Sequence, residues 1–237
     1  MRQHVNPLSR IHQLARPLPP LIELFADPSL PLHLDIGSAR GRFLLAMAPL
    51  APQRNHLGLE IRRPLVEAAE ADRRRDSLTN LRFLYGNANV NLPAWLALLP
   101  AGQLELVTLQ FPDPWFKLRH RKRRVLQPPL LLAIAAALAP GRLLFLQSDV
   151  EGLITPMRQL VAASGAFELE GPEECGPDVN PLPVATEREG QVLAEGKPVH
   201  RSLYRRNSAP LPPLAALEGR LDVAGDGVDN RDDAAAD

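Results

Sequence analysis

Apolar residues fall in short blocks separated by Gly, Pro and polar clusters, and two periods alternate along the chain. Residues 32–37, 56–61, 81–85, 104–111 and 142–147 are brief, apolar-rich and bounded by turn residues, which predicts five strands. Helical spacing lies between them. Residues 42–47 open a helix after Gly41, and residues 64–76 place Leu65, Ala68, Ala69 and Asp72 on one stripe. That second helix ends in Arg73-Arg74-Arg75, cations suited to a helix C-terminus. Residues 130–138 predict a strongly apolar helix and residues 152–164 a further one. Residues 167–169 form a short strand, and residues 199–205 alternate as an edge or antiparallel strand does. Strands alternating with helices predict βαβ units, a mostly parallel sheet and an α/β fold.

The flanks carry a different pattern. Residues 1–30 are punctuated by Pro and predict an irregular arm or short helix. Residues 171–198 are rich in Pro, Gly and Glu and predict a long, partly ordered excursion. Residues 210–237 lack the apolar positions for a core and predict a disordered acidic tail. The folded domain is therefore expected over residues 31–209.

At 237 residues the chain is long enough for one sizeable core, and 45% apolar with 23% charged residues is ordinary for a globular protein. No stretch has the length of apolar residues that spans a bilayer, so no membrane partner is expected. The opening Met1-Arg2-Gln3-His4 has no apolar h-region, and the single Cys175 forms no internal disulfide. Both point to a cytoplasmic setting. Six scattered histidines lack metal-ligand spacing, so no metal is assigned. The zero net charge conceals an asymmetry: without residues 218–237, 25 basic and 20 acidic residues remain. A basic body is compatible with a polyanionic partner.

One segment concentrates chemistry. Phe111-Pro112-Asp113-Pro114-Trp115-Phe116-Lys117 holds a carboxylate between two prolines, directly before Arg119-His120-Arg121-Lys122-Arg123-Arg124. Proline fixes φ and removes a backbone donor, so Asp113 sits on a stiff loop at a strand's carboxyl end. Open α/β sheets place ligands there. The glycine turn Asp35-Ile36-Gly37-Ser38-Ala39-Arg40-Gly41 joins the first strand to its helix, and Glu60 closes the second strand. A carboxylate at that second position accepts from ribose hydroxyls, a feature shared with nicotinamide-binding sheets. Asp35 argues differently, because an anion beside the turn repels a pyrophosphate and favours an ammonium or a sulfonium. The pattern favours S-adenosylmethionine over NAD. Asn87, after the third strand, reads either as an adenine-edge contact or as a turn residue.

These motifs, with Leu57-Gly58-Leu59-Glu60 and Gln147-Ser148-Asp149, occur in an order that resembles the bacterial tRNA (guanine-N7)-methyltransferases, the TrmB family. The likeness covers about residues 30 to 205. It implies a class I S-adenosylmethionine-dependent fold, Rossmann-like, with a mostly parallel seven-stranded sheet and an antiparallel edge strand. It implies cofactor contacts from Asp35, Gly37, Glu60, Asn87 and Asp113, and substrate contacts from Lys117 and Asp149. Thr186-Glu187-Arg188-Glu189 is similar to the family's Thr-x-x-Glu segment, which adds Thr186 and Glu189 as substrate contacts. Lys117, Arg119, Arg121, Lys122, Arg123 and Arg124 are the expected tRNA phosphate contacts, Arg121, Lys122 and Arg123 foremost. Ala39 departs from the usual middle glycine, and Asn87 from a frequent Asp. Guanine N7 carries an in-plane lone pair, so Asp113 is expected to position and stabilise charge rather than take a proton. A methyltransferase for another nucleobase nitrogen, or an RNA-binding module without turnover, remain the rival readings.

Overall fold

The computed structural model describes residues 5–115, 118–171 and 179–225. A short helix α1 (Leu21–Leu24) buries Leu21 and Leu24 and leads into the first strand. Five strands then lie parallel: β1 (Leu32–Ile36), β2 (Asn55–Glu60), β3 (Leu81–Tyr85), β4 (Leu104–Gln110) and β5 (Leu138–Ser148). The connections are α2 (Arg42–Leu50), α3 (Arg63–Arg75), α4 (Ala88–Leu96) and α5 (Pro128–Ala137). The chain continues through α6 (Glu151–Ser164), β6 (Phe167–Glu170), α7 (Glu187–Ala194), β7 (His200–Arg206) and α8 (Leu214–Gly225).

Across the sheet the order is β3-β2-β1-β4-β5-β7-β6. The chain builds outward from β1 to β3, then returns to place β4 on the other side of β1. That reversal opens a crevice at the carboxyl ends of β1 and β4, where such sheets bind ligands. β7 runs antiparallel to both β5 and β6, so the antiparallel strand lies inside the sheet and β6 is the edge.

The two faces of the sheet are chemically unlike. Leu34, Ile36, Leu57, Leu59, Val107, Leu109, Leu144 and Leu146 form the main core with residues from α4, α5 and α6. The opposite face packs Phe43, Leu44 and Met47 of α2 and Val66 and Ala69 of α3 against Leu81 and Phe83. It also carries His33, Asp35, His56, Thr108, Gln110 and Gln147, all buried. A strand alternates faces at every residue, so Leu-His-Leu-Asp-Ile delivers its leucines to one side and its polar groups to the other.

Several elements depart from the sequence expectation. The tail expected to be disordered contains α8, which packs on α5 and α6. Leu217 is fully buried there, and burying one leucine stabilises by about 1.5–3 kcal/mol, enough to hold a helix the acidic composition disguised. Residues 226–237 lie outside the described residues. α4 occupies a stretch for which the sequence predicted no element; Asn87, a candidate turn residue, is its N-cap, accepting the Asn89 N–H. The buried stripe of α3 is centred on Val66 and Ala69. Asp72 instead turns outward to Arg75 and Arg40. α7 gives the excursion an ordered second half, and part of its first half, residues 172–178 with Cys175, lies outside the described residues.

Candidate active site

A cavity of about 360 Å³ opens at the carboxyl ends of β1, β2 and β4. That volume lies within the roughly 300–1,000 Å³ of small-molecule sites. Asp35, Gly37, Glu60, Asn87, Asp113, Arg123 and Thr186 all line it, so the structure gathers these sequence-identified positions around one space.

The turn after β1 is built by backbone geometry. Gly37 and Gly41 have φ of +84° and +74°, and Ala39 takes +48°. The left-handed region disfavours a side chain, which is the physical reason a glycine suits the position Ala39 occupies. At Gly41 a Cβ would also sit 2.4 Å from Phe83, whereas at Gly37 it would meet nothing within 4 Å. Gly41 is thus closed by packing, and Gly37 faces open space.

Glu60 locks this turn to β2. It is buried, and its Oε2 accepts the Ala39 N–H at 2.9 Å while Oε1 accepts the Arg62 N–H at 2.9 Å and Arg62 Nε at 3.0 Å. Asp35, also buried, accepts from Thr108 Oγ1 at 2.6 Å and Gln110 Nε2 at 3.4 Å, both on Oδ1. Burial pushes its pKa up to about 6; the bonds from Thr108 and Gln110 oppose that shift, and the neighbouring Glu60 adds to it.

β4 ends one residue earlier than its apolar run implies. Phe111 turns to φ +48°, uncommon for a bulky side chain, and its N–H bonds the Gln147 carbonyl at 2.8 Å. That turn carries Asp113 and Trp115 into the cavity wall. Arg123, from the 3-10 turn Leu118–Arg123, stacks its guanidinium 4.9 Å from the Trp115 ring centroid. Arg121 and Lys122 are exposed on the same turn. Lys117, with Phe116, lies outside the described residues.

Three expected site residues have surroundings the sequence did not reveal. The Asn87 amide donates to the Pro7 and His12 carbonyls at 3.0 and 3.1 Å, so it ties the N-terminal arm to the cavity rim rather than presenting free donors. Glu189, a proposed substrate contact, is only 1% exposed and pairs with Arg201 at 2.7 Å. Gln147 and Asn180 also donate to it, at 3.3 and 2.7 Å. Its carboxylate pins α7 to the sheet, while Thr186 caps that helix by accepting the Glu189 N–H at 3.1 Å. Asp149 is paired with Arg188, which itself lines the cavity.

Arg62, Thr108, Gln110 and Arg188 were missed by motif reading. For Thr108 and Gln110 a signal existed, the polar alternation in Val107-Thr108-Leu109-Gln110 within an otherwise apolar strand. Arg62 and Arg188 had none beyond their neighbours. Among the described residues, no cluster of three or more His, Cys, Asp or Glu could hold a metal ion, and no helix is long and apolar enough to cross a membrane.

Residues 29–202 match a family model described as a putative methyltransferase. The chain is 60% identical to a tRNA (guanine-N(7)-)-methyltransferase of Synechococcus sp. (strain CC9311), covering 99% of this chain and 98% of that protein. It is 58% identical to the protein of the same name from Prochlorococcus marinus (strain MIT 9313), covering 92% and 93% respectively. Among solved structures, the 16S rRNA methyltransferase KamB shares the fold at a TM-score of 0.53 and 18% identity, over 79% of this chain and 91% of that one. End-to-end similarity of this degree, on a sheet whose switch-point cavity keeps Asp35, Glu60 and Asp113 together, means that the chain belongs to the tRNA (guanine-N(7)-)-methyltransferase family.

Proposed function

We propose that this protein transfers the methyl group of S-adenosylmethionine to N7 of a guanine in the variable loop of tRNA. The observation that carries this reading is near-full-length identity to tRNA (guanine-N(7)-)-methyltransferases. A tRNA substrate assigns its action to the cytoplasm.

S-adenosylmethionine fits the residues present. The turn leaves open space above Gly37, and a buried carboxylate beside it suits a cationic ligand. When bound, the cofactor supplies a methyl group on a positively charged sulfur. Asp35 is assigned to its cationic end, Glu60 to the ribose hydroxyls, and Asn87 to the cavity wall through the arm it holds. Asp113 stands on the stiff loop at the cavity edge, near the Arg62 guanidinium; burial lowers the pKa of that group, and Glu60, with a smaller pull from Asp113, raises it above the ordinary value. Guanine N7 attacks with its own lone pair and needs no base. Positive charge then develops on the imidazole ring, and a fixed carboxylate stabilises it, a role we assign to Asp113.

The substrate reaches this edge from the side of the basic turn. Lys117, Arg121, Lys122 and Arg123 take phosphates, and Asp149 and Thr186 face the bound nucleotide from the β5 and α7 side. Glu189 contributes by holding α7 in place. Replacing Arg121, Lys122 and Arg123 together with alanine is expected to weaken tRNA binding. It should also flatten the slope of log affinity against log salt by about two to three, at about 0.7–0.9 per phosphate. An unchanged slope would assign the turn to an ordinary solvated face.

Labelled S-adenosylmethionine, unmodified tRNA and nucleoside analysis test the whole reading. Label on 7-methylguanosine is the expected result. Label on another nucleoside would identify a different target nitrogen, and tRNA binding without label would identify a module that lacks turnover.

A further inference from the structure

A continuous hydrogen-bonded row crosses the polar face of the sheet behind Asp35. Thr108 Oγ1 donates to Asp35 Oδ1 at 2.6 Å, and His33 Nε2 lies 3.0 Å from the same hydroxyl. His33 Nδ1 in turn lies 3.1 Å from His56 Nδ1. His33, His56 and Thr108 are completely buried. His56 Nε2, at the far end, is buried with no hydrogen-bond partner among the described residues.

Counting protons fixes the direction of this row. An ionised carboxylate only accepts, so the Thr108 proton points to Asp35. Thr108 must then accept from His33, which places the His33 proton on Nε2. His33 Nδ1 is left bare and accepts from His56 Nδ1–H, and His56 Nε2 ends as an empty lone pair. A neutral imidazole has one proton, so no other assignment satisfies all three contacts while Asp35 is charged.

We propose that Thr108, His33 and His56 are positioning residues for Asp35, forming a buried proton relay that commits Oδ1 and leaves Oδ2 for the cationic group of the cofactor. One proton added at His56 Nε2 displaces the His56 Nδ1 proton onto His33 Nδ1. The His33 Nε2 proton moves to Thr108, and the Thr108 proton moves to Asp35. Each bond of the row persists with donor and acceptor exchanged, both histidines stay neutral, and the added charge is absorbed by Asp35. The relay rests on the assignment of Asp35 to the cofactor only for its consequence, since its direction is defined by the protein alone.

The surroundings favour this division of labour. Burial, then His56 and Arg54, hold the His33 pKa well below the usual histidine range. Burial and Arg54 push His56 down to about 4, against a smaller opposing pull from the Ala51 carbonyl. Arg54 is itself paired with Glu105 at 2.6 Å. Burial, with a smaller contribution from the Glu60 anion at the end of neighbouring β2, raises the Asp35 pKa to about 6, against the bonds from Thr108 and Gln110. A proton entering the row therefore settles on the carboxylate. In the ligand-free protein the raised value favours the protonated fold, an advantage lost as pH rises through about 6. Cofactor binding has the opposite sign, because it requires the charged carboxylate and weakens as pH falls through the same value.

Histidine tautomers and cofactor affinity test the relay separately. In protein carrying nitrogen-15 histidine, at pH 8, NMR should show His33 protonated on Nε2 and His56 on Nδ1, with exchange of tautomers as pH falls toward 5. A His56 proton on Nε2 at pH 8 would overturn the relay in the unaltered protein. Thr108→Val should uncouple the tautomers from pH in that range. It should also raise the pH midpoint for S-adenosylhomocysteine binding by about one unit, because a bond favouring the charged form is lost. Thr108→Ser should restore both. A folded Thr108→Val protein with an unchanged midpoint and unchanged tautomer profile would leave the row a packing feature and sink the proposal. Asp35→Asn isolates the other assignment: unaltered affinity in that variant would remove Asp35 from the cofactor site while the tautomers still judge the relay.

Discussion

Asp113→Ala is expected to lower methyl transfer to tRNA by about 10²–10³-fold, the range lost when a preorganised charge-stabilising group is removed. S-adenosylhomocysteine affinity should change by no more than about threefold, since Asp113 is assigned to charge that appears only as the methyl moves. Proline on both sides holds the carboxylate, and the left-handed turn at Phe111 aims the loop at the cavity. Single-turnover rates with saturating cofactor, set beside calorimetric affinity, separate the two effects. Equal losses in rate and affinity would make Asp113 a cofactor-holding residue. Asp113→Asn should recover part of the geometry and little of the rate, because the amide positions without supplying the charge.

The second large effect is on folding. Glu189→Ala removes one partner of an ion pair whose side chains are 1% and 5% exposed, taking a carboxylate away from the buried Arg201 guanidinium. Breaking such a pair costs about 3–5 kcal/mol. For a chain of this size that corresponds to a melting temperature lower by about 10 °C. Replacing Glu189 and Arg201 together with methionine should return most of the loss, because the desolvation cost of both charges disappears. Differential scanning calorimetry of the two variants decides it. A fall of under about 1 kcal/mol in the single variant would show water reaching the pair. Any activity lost in Glu189→Ala should follow the displacement of α7 and Thr186, seen as a raised KM for tRNA well below the melting point.

The parallel strands were legible because each is a short apolar run closed by a glycine, a proline or charged residues, and all but β3 are followed by a helical period. Asp35, Glu60 and Asp113 were legible for the same reason: each stands where a strand stops. α4 was hidden by its own cap, since Gly86-Asn87-Ala88-Asn89 has turn composition and Pro93 interrupts the helical pattern. α8 was hidden by acidic composition, although Leu214, Leu217 and Leu221 keep helical spacing. The partners of Asn87 and Glu189 come from elsewhere in the chain, the arm in one case and β7 in the other. Motif position says nothing about such partners. His33 and His56 meet only through the pairing of β1 with β2, which places them directly opposite.

The alternation in β1 has a consequence for how the chain reaches its native pairing. Central parallel strands are buried on both sides and often read as unbroken apolar runs, so hydrophobicity alone hardly distinguishes one alignment from the next. Here a slip of a single residue would drive His33 and Asp35 into the leucine-lined face and bring Leu32, Leu34 and Ile36 against a row of amides and imidazoles. Each buried polar group stranded that way costs about 1–3 kcal/mol. Two of them match a large share of the roughly 5–15 kcal/mol that separates folded from unfolded chains. The groups that hold the Asp35 carboxylate thereby also proofread strand alignment, and a variant that made this face wholly apolar would lose that check as well as the hydrogen-bonded row.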